Sequence, residues 1–168
     1  MVCNPRHILR GFNGIMPTHE PEKILGLTGK RKIWKCRVVG YDLYTVDGKH
    51  IRSQWADFIG GSHHLVNQFI PKTEIWLDAT VRGEWPGYLA SHELLEALLM
   101  QLRGWTYDRA HTAANGLEQG LRGTAEHNSL SGPKIAEIWG HHLRELFPKG
   151  DDVQVVADTV ARQFWRFL

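Results

Sequence analysis

The sequence contains little cysteine, little excess charge and no long apolar run. Its two cysteines, Cys3 and Cys36, do not form a Cys-x-x-Cys pair, and their small number excludes a disulfide framework. The balance of 20 basic and 18 acidic residues leaves a net charge of +2. This charge is too small to indicate binding to nucleic acid or membranes. No apolar run approaches the roughly 18 residues that a membrane-spanning helix needs, so no membrane partner is expected.

A chain of 168 residues is long enough for one domain with a sizeable core and too short for two ordinary ones. Hydrophobic residues make up 42% and charged residues 23%, which excludes a disordered chain. No signal of basic, apolar and small residues opens the chain, so we expect a reduced, soluble protein of the cytoplasm. Ten histidines and seven tryptophans are the unusual features of the composition.

The order of residue types predicts an α+β fold. In this fold a small antiparallel sheet from the N-terminal half packs on a helical hairpin, and further helices follow. Residues 1–32, rich in Pro, Gly and basic side chains, are predicted to form an N-terminal arm, and residues 33–168 a single domain. Asp47-Gly48 is interpreted as a hairpin turn between two strands. Strands are expected over residues 33–39, 41–46, 51–58 and 74–77.

Helical periodicity replaces the strand pattern after residue 87. The first helix is predicted over residues 88–102, with Gly104 at its end. A second helix is predicted over residues 107–121 after the N-cap Thr106, and the short break predicts an antiparallel hairpin. A loop over residues 123–133 and helices over residues 133–147 and 152–167 are expected to follow. The apolar stripes of the hairpin comprise Leu95, Leu98, Leu99 and Leu102 on the first helix and Tyr107, Ala110, Ala114, Leu117 and Leu121 on the second.

The residues with the clearest chemical pattern lie on this hairpin. His92 and Glu96 are one helical turn apart, so their side chains differ by only about 40° around the helix axis. His111 lies at the margin of the apolar stripe on the second helix. Packing of the hairpin would let the three side chains converge. Two imidazoles and one carboxylate form the ligand set of many catalytic zinc sites, which keep a fourth position open.

Two further carboxylates are expected near the ion. Glu93, interpreted as facing the more polar flank of its helix, is predicted to be the general base. Zinc lowers the pKa of bound water toward ~7, and an adjacent carboxylate can then take its proton. Glu118 lies seven residues after His111, which corresponds to roughly 10 Å along the helix axis. Glu118 is interpreted either as a partner that orients a histidine or as a plain structural residue.

Two places in the sequence offer a group that stabilises a developing oxyanion. A glycine-rich turn precedes His63-His64 and would bring one histidine of this pair to the site, as an oxyanion stabiliser or as an extra ligand. The candidate of the pair is His64, and an exposed polar loop is the alternative interpretation. Tyr107, at the start of the second helix, is the other catalytic candidate.

The strand over residues 74–77, followed by a helix with His92-Glu93-x-x-Glu96, resembles the core of zincin-like metallopeptidases, in which a sheet edge precedes an HExxH helix. Residues 38–122 also resemble a family of small, uncharacterised phage-encoded proteins. The motifs that carry this resemblance are Asp47-Gly48, Gly61-x-His63-His64, Ile70-Pro71-x-x-Glu74-Ile75-Trp76-x-Asp78, His92-Glu93 and Tyr107-x-x-Ala110-His111. The resemblance implies a phage origin and a zincin-like active helix, and it implies no particular substrate.

One position departs from the zincin pattern, because Glu96 stands where that pattern has a second histidine. A site richer in carboxylate would also suit Mn or Fe, although zinc is the expected cofactor. The favoured function is therefore a zinc-dependent hydrolase of zincin-like type that cleaves a protein or peptide in the host-cell cytoplasm. An extended substrate would pair with the strand over residues 74–77. The sequence leaves the oligomeric state open.

Two other functions are compatible with the sequence. The first is a non-catalytic phage protein that interacts with a host protein, in which the His/Glu cluster is a structural metal clip or a buried polar network. The second is a nucleic-acid-binding protein that uses the basic strand over residues 30–37, where Trp34 lies among basic residues and could stack on a base. Nucleic acid is the less favoured partner, because a solvated strand end explains the same residues.

Overall fold

Four short strands pair into one sheet in the computed structural model, which describes residues 32–54, 58–81, 85–127, 131–148 and 153–164. The strands are β1 (Lys32–Val38), β2 (Tyr41–Val46), β3 (Gly61–His63) and β4 (Glu74–Asp78). The helices of the described ranges are α1 (Gly48–Gln54), α2 (Trp85–Arg103), α3 (Tyr107–His127), α4 (Gly132–Leu146) and α5 (Val153–Phe164). The predicted α+β class is confirmed. The predicted arm lies outside the described residues, apart from Lys32.

The first hairpin joins β1 to β2, and its turn is not the predicted one. Val39 and Gly40 make the turn with positive φ angles of 46° and 85°, as tight hairpins with right-handed strand twist require. The predicted turn at Asp47-Gly48 instead begins α1, where Asp47 Oδ1 accepts a hydrogen bond from the His50 N–H at 2.9 Å. The prediction of a strand over residues 51–58 is therefore wrong for residues 51–54, because this side chain caps a helix. Phe58 is not in a strand either, and residues 55–57 lie outside the described residues.

The sheet is mixed, with the order β1-β2-β4-β3. The pairs β1–β2 and β3–β4 are antiparallel, whereas β2 and β4 run parallel. The prediction of a purely antiparallel sheet is wrong, because the chain crosses from β2 to β4 through α1 and β3. Since β4 is hydrogen-bonded on both sides, it is not the open edge expected for substrate pairing. Among the described strands, β1 and β3 form the two edges.

Helices α2 and α3 form the predicted antiparallel hairpin, and Gly104 ends α2 with a φ of 61°. The predicted apolar stripes are buried except for Tyr107, which is half-buried, and Leu102, which is 65% exposed, so the assignment of Leu102 is wrong. Helix α3 continues to His127, and residues 123–127 are therefore not the predicted loop. The buried residues of the two stripes are Leu95, Leu98, Leu99, Ala110, Ala114, Leu117 and Leu121.

The C-terminal helices cover the outer side of this hairpin. Helix α4 begins after the N-cap Ser131, whose side chain accepts a hydrogen bond from the Lys134 N–H at 3.4 Å. The fully buried Trp139 of α4 donates a hydrogen bond to Ser91 of α2 at 3.4 Å. The strong burial of α2 from several sides places its polar residues inside the protein. Within the described ranges, no helix is both long and apolar enough to cross a membrane.

Candidate metal centre

The three predicted metal ligands lie together between α2 and α3. His92 Nε2 is 3.0 Å from His111 Nδ1, and His111 Nδ1 is 2.7 Å from Glu96 Oε2. His92 Nε2 is 3.5 Å from the same Glu96 oxygen. His92 and Glu96 are buried, whereas the His111 side chain is 40% exposed. These three potential ligand atoms form a small triangle, here called the ligand triangle, which is open to solvent on the His111 side.

The size of this triangle fits a metal ion. Bonds of about 2.0–2.2 Å from zinc to nitrogen or oxygen place tetrahedral ligand atoms about 3.3–3.6 Å apart. The observed separations of 2.7 to 3.5 Å require only small outward movements to reach these values. His92, Glu96 and His111 therefore form a group that is geometrically able to bind a metal ion.

Glu118 contacts the far side of the His92 ring. Its Oε2 atom lies 3.0 Å from His92 Nδ1, while Oε1 accepts a hydrogen bond from Arg122 one turn later on α3. A carboxylate on the second ring nitrogen is the usual partner of a metal-ligating histidine, because it leaves the first nitrogen free to bind. The structure therefore shows the contact expected of an orienting partner, and the role of Glu118 in metal binding remains a prediction.

Glu93 is buried, which corrects its predicted place on a polar flank. Only 7% of the residue is exposed, because β3 covers this face of α2. A Cβ atom built on Gly61 of β3 would lie 2.9 Å from Glu93 Cγ, so the glycine is what allows the two elements to approach. One carboxylate oxygen of Glu93 lies within 4.8 Å of a carboxylate oxygen of Glu96. The predicted base is thus beside the predicted ligand set.

The two predicted oxyanion stabilisers take different positions. Tyr107 stacks on His111 with ring centroids 5.1 Å apart, at the solvent side of the triangle. His64 stacks on Tyr41 with ring centroids 6.4 Å apart. The histidine of this pair that contacts the cluster is His63, whose Nε2 lies 3.0 Å from Glu96 Oε1. The catalytic roles of Tyr107 and His64 stay predictions.

The charges of the buried network are strongly interdependent. Burial alone would lower the pKa of His92, but its hydrogen bonds to Glu118 and Glu96 outweigh this effect and raise the pKa to about 10. Burial opposes ionisation of Glu96, yet hydrogen bonds from His63 and His92 hold the pKa of Glu96 below its usual value. In the metal-free protein, a proton on His92 thus supplies the positive charge between two carboxylates.

The pKa of Glu93 shifts in the direction opposite to that of Glu96. Burial raises the pKa of Glu93 well above its usual value, and the nearby negative charge of Glu96 raises it further. The hydrogen bond with His92 lowers the pKa of Glu118, and the Arg122 guanidinium acts in the same sense. Neighbouring carboxylates whose pKa values are pushed apart are typical of sites that divide acid and base roles.

Sequence reasoning missed two members of the network. Arg122 holds the outer oxygen of Glu118, and the i, i+4 spacing of the two residues was the available signal. His63 was considered only as one of a pair. His63 is the last residue of β3, whereas His64 lies in the turn that follows. The direction of the His63 ring is therefore set by the register of β3, where His63 pairs with Ile75.

No protein-family model matches this chain. No curated protein and no solved structure matches it significantly. The geometry of the described residues therefore carries the functional argument, and the resemblance to zincin-like metallopeptidases remains a hypothesis.

Proposed function

We propose that this protein is a zinc-dependent hydrolase of zincin-like type, of phage origin, that cleaves a peptide bond. The observation that carries the proposal is the triangle of donor atoms from His92, Glu96 and His111, together with the Glu118 carboxylate on the second nitrogen of His92. A bound zinc ion would act as a Lewis acid and lower the pKa of water toward ~7. A site richer in carboxylate than the usual zincin set also suits Mn or Fe.

Glu93 is the proposed general base, which takes a proton from the attacking water and later returns it. Its raised pKa makes it a stronger base than an exposed carboxylate, and general bases work best when their pKa is near the working pH. The Glu93 side chain is buried where Gly61 of β3 packs against α2, so packing holds its position. In the proposed reaction, Glu93 accepts a proton from the attacking water and delivers it to the leaving amine.

Substrate entry is proposed at β3 rather than at β4. Strand β4 is paired on both sides, whereas β3 pairs with β4 alone among the described strands. The Gly61 N–H already bonds to Ile59, and the His63 carbonyl accepts from Val66 and Asn67. An extended peptide would therefore add to the outer side of β3 through the remaining backbone groups. His63 at the end of β3 already contacts Glu96, so a peptide along this edge would pass close to the ligand set.

A second candidate is a protein without catalytic activity in which the cluster is a buried polar network. The hydrogen bonds of His92 to Glu118 and of Glu96 to His63 and His111 connect the network without an ion, and this observation favours the alternative. The two functions differ in what they require of Glu93. Only hydrolysis depends on a group there that can accept a proton.

The test compares metal content and hydrolysis of a mixed peptide library by the zinc-loaded protein. Wild type is expected to hold one ion per chain, and Glu93→Gln to keep the ion while losing about 10²–10⁴-fold in hydrolysis. The control Glu145→Gln changes an exposed carboxylate on α4 and should retain both properties. A wild-type protein that binds no metal contradicts the proposal. Metal binding without any hydrolysis favours the non-catalytic alternative.

A further inference from the structure

His63 contacts Glu96 from the sheet side of α2. The ring is fully buried, and its Nε2 lies 3.0 Å from Glu96 Oε1. The other carboxylate oxygen, Oε2, lies 2.7 Å from His111 Nδ1 and faces the ligand triangle. The two oxygens of Glu96 are therefore divided between two elements, with Oε1 toward β3 and Oε2 toward α3.

The second nitrogen of the His63 ring shows which atom carries the proton. Nδ1 is buried and has no hydrogen-bond partner among the described residues. A buried N–H without an acceptor loses its hydration and gains nothing, so such groups are rare in folded proteins. A proton on Nε2, where the Glu96 carboxylate accepts it, avoids this cost.

We infer that His63 is a positioning residue whose Nε2–H holds Glu96 Oε1, so that Oε2 alone is left to bind an ion and the centre takes a single metal. This inference rests on the proposed function for the identity of the site. In this arrangement His63 contacts neither the ion nor the substrate. Its hydrogen bond occupies Oε1 of Glu96, so this oxygen does not compete with Oε2 for the metal. The same bond restricts rotation of the carboxylate.

The alternative arrangement is a second ion between β3 and α2. Ligand atoms of His63, Glu93 and Glu96 lie within 4.8 Å of one another, so a second ion is conceivable from distances alone. His63 would then bind through Nε2 and carry its proton on Nδ1, which has no acceptor. Ligating histidines almost always donate the other ring N–H to a partner, as His92 does to Glu118. The lack of such a partner for His63 favours one ion.

The first test is the tautomer of His63, measured by ¹⁵N NMR on the full chain without metal. The signals of His63 are identified by their loss in His63→Gln. The expected result is a protonated Nε2. An unprotonated Nε2 overturns the inference.

The second test is zinc affinity and stoichiometry in two variants, measured by competition with a chromophoric chelator. Glutamine at position 63 can place an amide N–H near the position of Nε2, whereas leucine cannot donate. His63→Gln is expected to stay within about threefold of wild type, and His63→Leu to bind about 10–100-fold more weakly, with one ion per chain throughout. The matched control His141→Leu changes an exposed histidine on α4 and should leave the affinity unchanged.

Several outcomes separate the possibilities. Two ions in wild type and one in both variants would make His63 a ligand and overturn the inference while leaving a metal site in place. Wild-type affinity in a folded His63→Leu protein also overturns it. If that variant does not fold, His63→Gln and the NMR measurement decide. If the wild-type protein binds no ion, both the proposed function and the inferred single-metal centre are overturned. The NMR measurement then still tests whether Nε2 of His63 donates to Glu96.

Discussion

The Nδ1 atom of His92 lies 3.0 Å from Oε2 of Glu118, a residue 26 positions later in the chain. This contact joins the two helices of the hairpin at the point where the ligand triangle forms. Because the Glu118 carboxylate accepts the Nδ1 proton, the Nε2 lone pair is available on the side of His111 and Glu96 once a metal displaces the second proton. This contact between the two helices therefore favours a proton on Nδ1 of His92, a candidate ligand.

Glu118→Gln is expected to weaken zinc binding by about 10–100-fold, because an amide cannot accept the His92 proton with the strength of a carboxylate. Chelator competition measures the affinity. The control Glu137→Gln changes a carboxylate on α4 whose side chain is 65% exposed and should bind zinc as wild type does. Equal affinities of wild type and Glu118→Gln would show that Glu118 is a plain structural residue.

Zinc binding at pH 7 is expected to release at least one proton. The hydrogen bonds to Glu118 and Glu96 raise the pKa of His92 to about 10, so the ring is protonated at pH 7 and must lose a proton to bind a metal. The apparent affinity should then rise about tenfold per pH unit between pH 6 and 8. Calorimetry in two buffers of different ionisation enthalpy counts the protons. Heats that do not depend on the buffer contradict the expected proton release.

Zinc should stabilise the folded protein, because the ligand set exists only when α2 and α3 are packed together. At a free concentration 100 times the dissociation constant, the gain in unfolding free energy is about 2.7 kcal/mol. Thermal unfolding with and without zinc measures the effect, and a chelator should reverse it. His92→Ala should abolish the zinc-dependent shift. A shift of wild-type size in this variant would place the bound ion elsewhere.

Gly61→Ala is expected to reduce hydrolysis while keeping the metal. The new Cβ would lie 2.9 Å from Glu93 Cγ and 3.1 Å from Leu77 Cδ2, so the carboxylate or the strand must move. Such overpacking costs about 1–3 kcal/mol of stability. Gly123→Ala is the matched control, since a Cβ there meets nothing within 4 Å and alanine favours the helix. An active Gly61→Ala protein would show that the position of Glu93 is not critical.

Asp78 is expected to contribute to stability at neutral pH and to lose this contribution in acid. Burial opposes its ionisation, but hydrogen bonds from the Thr80 N–H and from Arg52 hold the pKa of Asp78 below its usual 3.8. The contribution is thus present above that value and falls as the pH drops through the lowered pKa. Asp78→Asn should flatten the acid limb of a plot of unfolding free energy against pH. An unchanged acid limb contradicts the assigned cause.

The helical hairpin was the most predictable part of the molecule, because its apolar spacing, Gly104 and the short break are local signals. These signals were sufficient to bring His92, Glu96 and His111 together. Leu102 followed the same spacing but lies beyond the part of α2 that other elements cover. Periodicity reports which residues share a face and does not report how far a neighbouring element extends along it.

The sheet was less predictable, because its pairing depends on contacts between distant residues. Asp47-Gly48 has the composition of a hairpin turn, yet the side chain of Asp47 caps a helix instead. The strand β3 has only three residues and lacks a periodic pattern, so its register could not be read from composition. The contact of His63 with Glu96 and the burial of Glu93 both depend on that register.

The candidate ligands and their partners are distributed over β3, α2 and α3, and the contacts among them span up to 33 residues of chain. During synthesis at the ribosome, β3 and α2 emerge first and lack the imidazole and the carboxylate that α3 supplies. A metal site built from these residues can therefore form only after the hairpin of α2 and α3 has closed.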